Sequence, residues 1–142
     1  MDLWKPFAEE FDSENLLVFK TDYWSVLVRK NQVTLGSLVL AANRNFLSAS
    51  DLQNAELEEF PKVVGRLEEM LSITFGFDKI NYLCLMMADR HYHFHVIPRY
   101  ETPKEFFGRT WVDNDWPRPP SLAVPQNDMD TLISIRDMLK NT

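Results

Sequence analysis

The stretch His91-Tyr92-His93-Phe94-His95-Val96-Ile97-Pro98-Arg99 contains every histidine of this 142-residue chain. Histidines alternate with apolar residues in it, and successive residues of a β-strand point to opposite faces of a sheet. We therefore predict a strand over His91–Ile97 that Pro98 ends or marks as an edge. The imidazoles are expected to share one face, which must be wet or functional. The opposite face, which can pack in a core, carries Tyr92, Phe94 and Val96.

Three interpretations of the imidazole face compete: a solvated polar surface, a metal site, and a centre for acid–base and nucleophilic chemistry. A metal-binding module would use His91 and His93, since two histidines at this spacing can chelate one zinc ion. The outer pair is roughly 13 Å apart along a strand, so all three cannot easily hold one ion. Imidazole titrates near neutral pH, attacks when neutral and protonates a leaving group when charged. We favour this chemistry and expect no bound metal.

The surrounding sequence predicts an α+β fold. Apolar residues at spacings of three and four indicate one long helix that includes Leu57 and stops at Gly76, with Pro61 marking its start or a kink. The same spacing indicates a short helical segment within residues 1–12 and a terminal helix after Asp128. Residues 101–125 contain five prolines and are predicted to be irregular. Further strands, the last of them buried, are predicted at residues 16–19, 24–28, 38–41 and 79–87.

Composition excludes several classes of protein. Apolar residues make up 45% of the chain and charged residues 25%, which is ordinary for a globular domain. The net charge of −6 argues against binding to a nucleic-acid polymer. The sequence has no apolar run long enough to span a membrane and no secretory signal, so we expect a cytoplasmic protein. Its one cysteine, Cys84, forms no internal disulfide and is expected to be buried.

The stretch 91–99 resembles the signature of the histidine triad (HIT) family, in which three histidines alternate with apolar residues. The Pro-Arg that follows is similar to the branch that includes diadenosine-polyphosphate hydrolases. Leu35-Gly36-Ser37 resembles the family's Gly-His strand, the segment from Leu52 its central helix, and Ile80–Leu83 the strand before the triad. The resemblance covers about residues 15–100. It implies a single HIT-like domain over 1–142, with residues 101–142 as an irregular tail and terminal helix.

The resemblance also implies a fold and a reaction. The fold is a mainly antiparallel five-stranded sheet with one long helix, commonly joined across a homodimer. His93 is expected to attack the α-phosphorus of a nucleotide and form a nucleotidyl-histidine. His95 is expected to contact the phosphate and the bridging oxygen, and His91 to position His93 through its backbone carbonyl. Water then releases the nucleoside monophosphate, without a cofactor. The implied substrate is a phosphoanhydride or phosphoramidate of adenosine, diadenosine tetraphosphate in particular.

The sequence departs from the family's pattern where that pattern supplies polar groups. Ser37 occupies the position of the family's upstream histidine. Leu85 lies near the position of the family's second asparagine, and Met87 lies near that of its glutamine. Arginines are candidate replacements, because guanidinium matches phosphate geometry. Strand parity favours Arg99 over Arg90. The candidate substrate-binding residues are Arg99, Asn81, Arg29, Asn31, Ser37 and Arg90. The missing polar groups leave an alternative: a nucleotide-binding regulatory protein with weak or no turnover.

Overall fold

Five antiparallel strands form the central sheet, as predicted. The structure is a computed structural model that describes residues 2–142. The strands lie in the order β1-β2-β3-β5-β4, so that β5 is an inner strand and β4 an edge. Their bounds are β1 Leu17–Lys20, β2 Trp24–Val28, β3 Leu38–Ala42, β4 Lys79–Leu83 and β5 His93–Arg99.

Helices cover both faces of this sheet. The long helix α3 and the terminal helix α4 pack against one face, where Leu67, Leu71, Leu132 and Ile135 are fully buried. The short helix α1 packs on the other face, where Phe7 lies against Val39 and Ala41 of β3. The helices are α1 Trp4–Glu10, α2 Ser13–Leu16, α3 Asn54–Phe75 and α4 Met129–Lys140, and a 3₁₀ turn spans Ala49–Asp51.

Local sequence explains both ends of α3. Gln53 and Glu56 form a reciprocal capping box at the N-terminus, which satisfies backbone N–H groups that have no partner within a helix. Gly76 ends the helix in the left-handed conformation, as predicted from its position after Phe75. Pro61 lies inside the helix, seven residues after Asn54, so it does not mark the start.

The alternation of β5 separates two environments. Phe94 and Val96 face α3, with the Phe94 ring 5.5 Å from that of Phe60. His93 and His95 lie on the opposite face, paired with Ala41 and Val39 of β3. Two sides of one strand therefore build the hydrophobic core and a cluster of imidazoles.

The strand continues through Pro98 to Arg99, which corrects the prediction that this proline ends it or marks an edge. Pairing between β3 and β5 stops at Leu38 and Val96, so β3 does not extend alongside Pro98. The Thr34 hydroxyl donates to the Pro98 carbonyl on this side instead. The missing proline N–H falls beyond the end of the neighbouring strand, where no ladder hydrogen bond is lost.

Three further predictions are corrected. The strand predicted to be buried over residues 79–87 ends at Leu83, and as an edge strand it is only partly buried. Cys84, which follows it, is exposed rather than buried. The segment 101–125 is not wholly irregular, because Lys104–Phe106 (β6) and Arg109–Trp111 (β7) form a separate two-stranded hairpin.

Gly36 provides a test of how α3 packs against the loop before β3. Its φ is +88°, and a Cβ there would lie 2.9 Å from Phe75 and 3.0 Å from Leu71. We expect Gly36→Ala to lower the free energy of unfolding by about 2–4 kcal/mol, through backbone strain and overpacking. Urea denaturation measures this change.

Gly65 is the matched control. A Cβ at this exposed position of α3 meets no atom within 4 Å. Gly65→Ala should raise the free energy of unfolding by about 0.5–1 kcal/mol, because alanine favours helix more than glycine does. Equal effects of the two substitutions would contradict the packing described for Gly36.

Candidate active site

Of the two states expected for the imidazole face, wet or functional, the structure excludes the first for His91 and His93, because the face is covered. Helix α1 lies over it: the Phe7 ring is 5.0 Å from the His91 ring and 5.1 Å from the His93 ring. Phe11 adds a second contact to His93 at 5.7 Å. As a result His91 and His93 are each only 2% exposed. His91 precedes β5 rather than starting it, yet its ring lies under the same helix.

A chain of hydrogen bonds fixes the first two imidazoles. The Nε2–H of His91 donates to the Ala42 carbonyl on β3. The Nδ1–H of His93 donates to the His91 carbonyl oxygen at 2.6 Å. A carbonyl oxygen can only accept, so the neutral His93 ring carries its proton on Nδ1. Its Nε2 therefore keeps a lone pair, which is the state that a nucleophilic imidazole requires.

His95 completes the cluster. Its ring lies 5.0 Å from that of His93 and nearly perpendicular to it. The Nε–H of Arg29 donates to His95 Nδ1 at 3.2 Å. Arginine cannot accept a hydrogen bond, so Nδ1 must be the unprotonated nitrogen. The two neighbouring rings thus have opposite tautomers, with a lone pair on Nε2 of His93 and a proton on Nε2 of His95.

Burial favours the uncharged form of all three histidines. It is the main reason that the pKa of His91 and that of His93 lie below the ordinary value. Burial also lowers the pKa of His95 to about 4, assisted by the positive charge of Arg29 and by His93. The site is therefore a cluster of neutral imidazoles at neutral pH.

A cavity of about 370 Å³ opens beside His93 and His95. Arg29 and Asn31, two of the predicted substrate-binding residues, line it. Its volume lies within the range of small-molecule sites. The cavity combines the two imidazoles with a cationic side chain and with an apolar wall formed by Leu85, Met86, Met87 and Ala88.

Arg99 and Asn81 do not line this cavity. Arg99 is on the imidazole face of β5, as its parity predicted, but the C-terminal tail covers it and leaves it 4% exposed. Its guanidinium donates to Asp113 at 2.7 Å, to Asn81 Oδ1 at 2.8 Å and to the Arg118 carbonyl at 2.7 Å. This salt bridge ties the tail to the sheet, and the Arg99 guanidinium is already hydrogen-bonded within the protein rather than directed at the cavity.

Ser37 and Arg90 also lie outside the cavity. Ser37 is fully buried, and its hydroxyl donates to the Thr34 carbonyl within the turn before β3. Arg90 is exposed and lines a neighbouring depression beside α1 and His91. Of the six predicted substrate-binding residues, only Arg29 and Asn31 line the cavity beside His93 and His95.

Sequence reasoning missed several residues that line the cavity. Glu10 is the last residue of α1, Phe11 follows it, and Asp89 comes from the segment before the triad. Burial raises the pKa of the Asp89 carboxyl, His93 opposes the shift and Glu10 adds to it. The Phe7–Phe11 spacing indicated a helical face but not what that face covers. Leu122 contributes its backbone carbonyl, for which side-chain patterns give no signal.

Comparison with solved structures shows which fold this is. A histidine triad protein from Sinorhizobium meliloti superposes with a TM-score of 0.73 at 16% identity, over 94% of this chain and 93% of that one. One from Bradyrhizobium japonicum gives 0.68 at 20% identity, over 91% of each chain. The chain has the histidine triad fold.

A third histidine triad structure broadens the comparison. A hypothetical histidine triad nucleotide-binding protein from Sulfolobus tokodaii gives a TM-score of 0.63 at 19% identity, over 94% of this chain and 89% of that one. No protein-family model matches the sequence. No curated protein matches it either. The likeness is one of histidine triad architecture, at identities where sequence comparison alone finds nothing.

Residues 2–142 contain neither a cluster of metal-ligating side chains nor a membrane-spanning helix. Within those residues, His, Cys, Asp and Glu side chains form no group of three or more arranged to hold a metal ion. No helix in the same range is long and apolar enough to cross a membrane.

The depressed pKa of the histidines predicts how stability depends on pH. An unfolded histidine binds a proton near pH 6.5, whereas folded His95 does so only near pH 4. The unfolded state therefore binds more protons in this window, and the free energy of unfolding should fall as the pH is lowered through it. We expect His95 to contribute up to about 3 kcal/mol of this loss.

Urea denaturation at several pH values between 4 and 6.5 measures the effect. His95→Asn is the comparison, because it removes the titrating ring and should flatten the slope. A slope that His95→Asn leaves unchanged would contradict the assigned pKa.

Proposed function

We propose that the chain is a nucleotide hydrolase or transferase that cleaves a phosphoanhydride or phosphoramidate of adenosine through a nucleotidyl-histidine. The proposal is carried by His93, whose Nδ1–H is held by the His91 carbonyl at 2.6 Å. Its Nε2 keeps a lone pair beside His95, where both rings line the cavity. Related architecture supports this reading, since the Sulfolobus tokodaii protein is described as nucleotide-binding.

The proposed reaction has two displacements. In the first, His93 Nε2 attacks the α-phosphorus, the N–P bond forms and the bond to the bridging oxygen breaks with its electron pair leaving on that oxygen. The His91 carbonyl accepts from Nδ1–H throughout and stabilises the positive charge of the substituted ring. In the second, water attacks phosphorus and releases one proton to the solvent, while the electron pair of the N–P bond returns to Nε2. Each step is easier than the direct hydrolysis.

The lining of the cavity supports a nucleotide as the substrate. Arg29 and Lys30 bring positive charge to the imidazoles, which favours a phosphate chain. The apolar wall at Leu85 and Met87 offers a surface for a base. We assign a diadenosine polyphosphate as the substrate class, with Asn31 as a further polar contact and with no cofactor.

A nucleotide-binding regulatory protein is the alternative. The observation that favours it is the 2% exposure of His93 beneath Phe7 and Phe11. A nucleotide bound in the cavity without access to His93 Nε2 forms no covalent adduct. The two functions therefore differ in whether a nucleotidyl-histidine can be detected.

We expect the wild-type protein incubated with diadenosine tetraphosphate to form an adenylyl adduct on His93, detected by mass spectrometry at neutral pH. His93→Asn should abolish the adduct and lower turnover by at least about 10⁴-fold. Asparagine keeps an N–H donor for the His91 carbonyl but has no nucleophilic nitrogen. Nucleotide binding without any adduct would support the regulatory alternative. Wild-type turnover by His93→Asn would sink the assignment of the nucleophile.

We also propose that the protein is a homodimer. The outer edge of β4 is unpaired in the sheet, and exposed strand edges tend to associate. Met87, four residues after the end of β4, is 84% exposed, an unusual position for a large apolar side chain. Light scattering at micromolar concentration should give the mass of two 16.7-kDa chains. The mass of one chain would contradict the proposal.

A further inference from the structure

Arg29 lies where the chain leaves β2, and it contacts the last imidazole of the triad. Its Nε–H donates to His95 Nδ1 at 3.2 Å. A guanidinium has only donors, so this contact requires a lone pair on Nδ1. A ring protonated on both nitrogens cannot accept this bond, and it would bring two positive charges together. Of the three protonation states of His95, which are the two neutral tautomers and the charged ring, the contact therefore selects the neutral ring with its proton on Nε2.

The protein holds this guanidinium in place independently of His95. Nη1 donates to the Asn31 carbonyl at 2.5 Å, and Nη2 donates to the Leu122 carbonyl at 3.4 Å. Asn31 is itself tied to the tail, because its Nδ2 donates to the Val124 carbonyl at 2.8 Å. Two separate segments thus fix the donor that faces His95.

We propose that Arg29 is a positioning residue that holds His95 neutral, with its single ring proton on Nε2. This inference rests on the proposed function for its chemical consequence, but the protonation state itself is a property of the folded protein. The role proposed for Arg29 differs from a direct contact with phosphate, since Arg29 acts through His95.

Charged groups of both signs line the cavity beside His95, and Arg29 is the one hydrogen-bonded to its ring. His93 is the neighbouring titratable group on β5, and Arg29 and Lys30 come from the segment after β2. The carboxylates in the cavity belong to Glu10 on α1 and Asp89 before the triad. Burial and the charge of Arg29 lower the pKa of His95 to about 4.

The partners of His95 on the adjoining strands add no charge that would stabilise an imidazolium. They are Val39 on β3 and Leu83 on β4. The cationic partner, Arg29, is also the one that is hydrogen-bonded to the ring. The bonded guanidinium therefore opposes protonation of Nδ1, and the paired residues carry no charge to offset it.

A neutral His95 limits which bonds the site can cleave. Its Nε2–H donates a hydrogen bond to the bridging atom but does not give up its proton, because neutral imidazole is a very weak acid. A phosphate leaving group departs as a stable anion and needs no proton. An amine leaving group must take up a proton as the P–N bond breaks. We therefore assign phosphoanhydrides, rather than phosphoramidates, as the preferred substrate class.

Nuclear magnetic resonance of ¹⁵N-labelled protein tests the protonation state directly, since the ring nitrogens report tautomer and pKa. Wild-type His95 should carry its proton on Nε2 and titrate well below pH 6.5. In Arg29→Met, which loses both the charge and the donor, its pKa should rise by about one unit or more. Arg29→Lys should restore part of the shift.

Lys30→Gln is the matched control, because it removes a positive charge from the same cavity without removing a bond to His95. It should shift the pKa of His95 by less than half as much as Arg29→Met. A wild-type His95 proton on Nδ1, or equal shifts in the two variants, would overturn the role of Arg29. The wild-type tautomer decides the matter even if Arg29→Met fails to fold.

The substrate consequence is tested by the ratio of kcat/KM for diadenosine tetraphosphate to that for adenosine 5′-phosphoramidate. Wild type should favour the anhydride, and Arg29→Met should lower the ratio about tenfold near pH 5.5, where a freed His95 can become an acid. An unchanged ratio would overturn the assigned substrate class. Absence of turnover with both substrates would instead overturn the proposed function, and the resonance measurements would still decide the protonation state.

Discussion

The register between β3 and β5 is the constraint on which the rest of this molecule depends. Ala41 pairs with His93 and Val39 with His95, which places the imidazoles above small or branched apolar residues. A shift of one residue would turn the imidazoles toward α3 and expose the aromatic residues. The packing of Val96 and the partly buried Phe94 against α3 makes such a shift costly, so the hydrophobic core also fixes where the histidines lie.

Two segments far from the triad in sequence cover the imidazole face. Helix α1 packs Phe7 on His91 and His93, and the C-terminal tail is tied down through Arg99. The cavity lies in the gap between them. Burial at this position keeps the imidazoles neutral, and hydrogen bonds to fixed partners then determine which nitrogen of each ring carries the proton. Shape and protonation of the site have the same origin.

Arg29 and Arg99 show how one residue type serves two purposes. Both lie on the side of the sheet that carries the imidazoles, and both donate to a carbonyl of the tail. Arg99 also meets the carboxylate of Asp113, which uses its charge within a structural salt bridge. Arg29 meets carbonyls and a neutral ring, so its charge remains uncompensated by a bonded acid and acts on the cavity. The two arginines therefore differ in role because Arg99 is bonded to a carboxylate and Arg29 is bonded only to uncharged acceptors.

The sequence by itself determined the periodic features of this protein: the α+β class, the long helix ending at Gly76, and the two faces of the strand that carries the triad. These follow from local alternation and helical spacing, which need no knowledge of distant residues. Only the tertiary structure decided that α1 covers His93, that Arg99 is occupied, and that Arg29 contacts His95. That last pair is separated by 66 positions. Such contacts depend on how loops and tail pack across the sheet, and no periodicity in the chain encodes them.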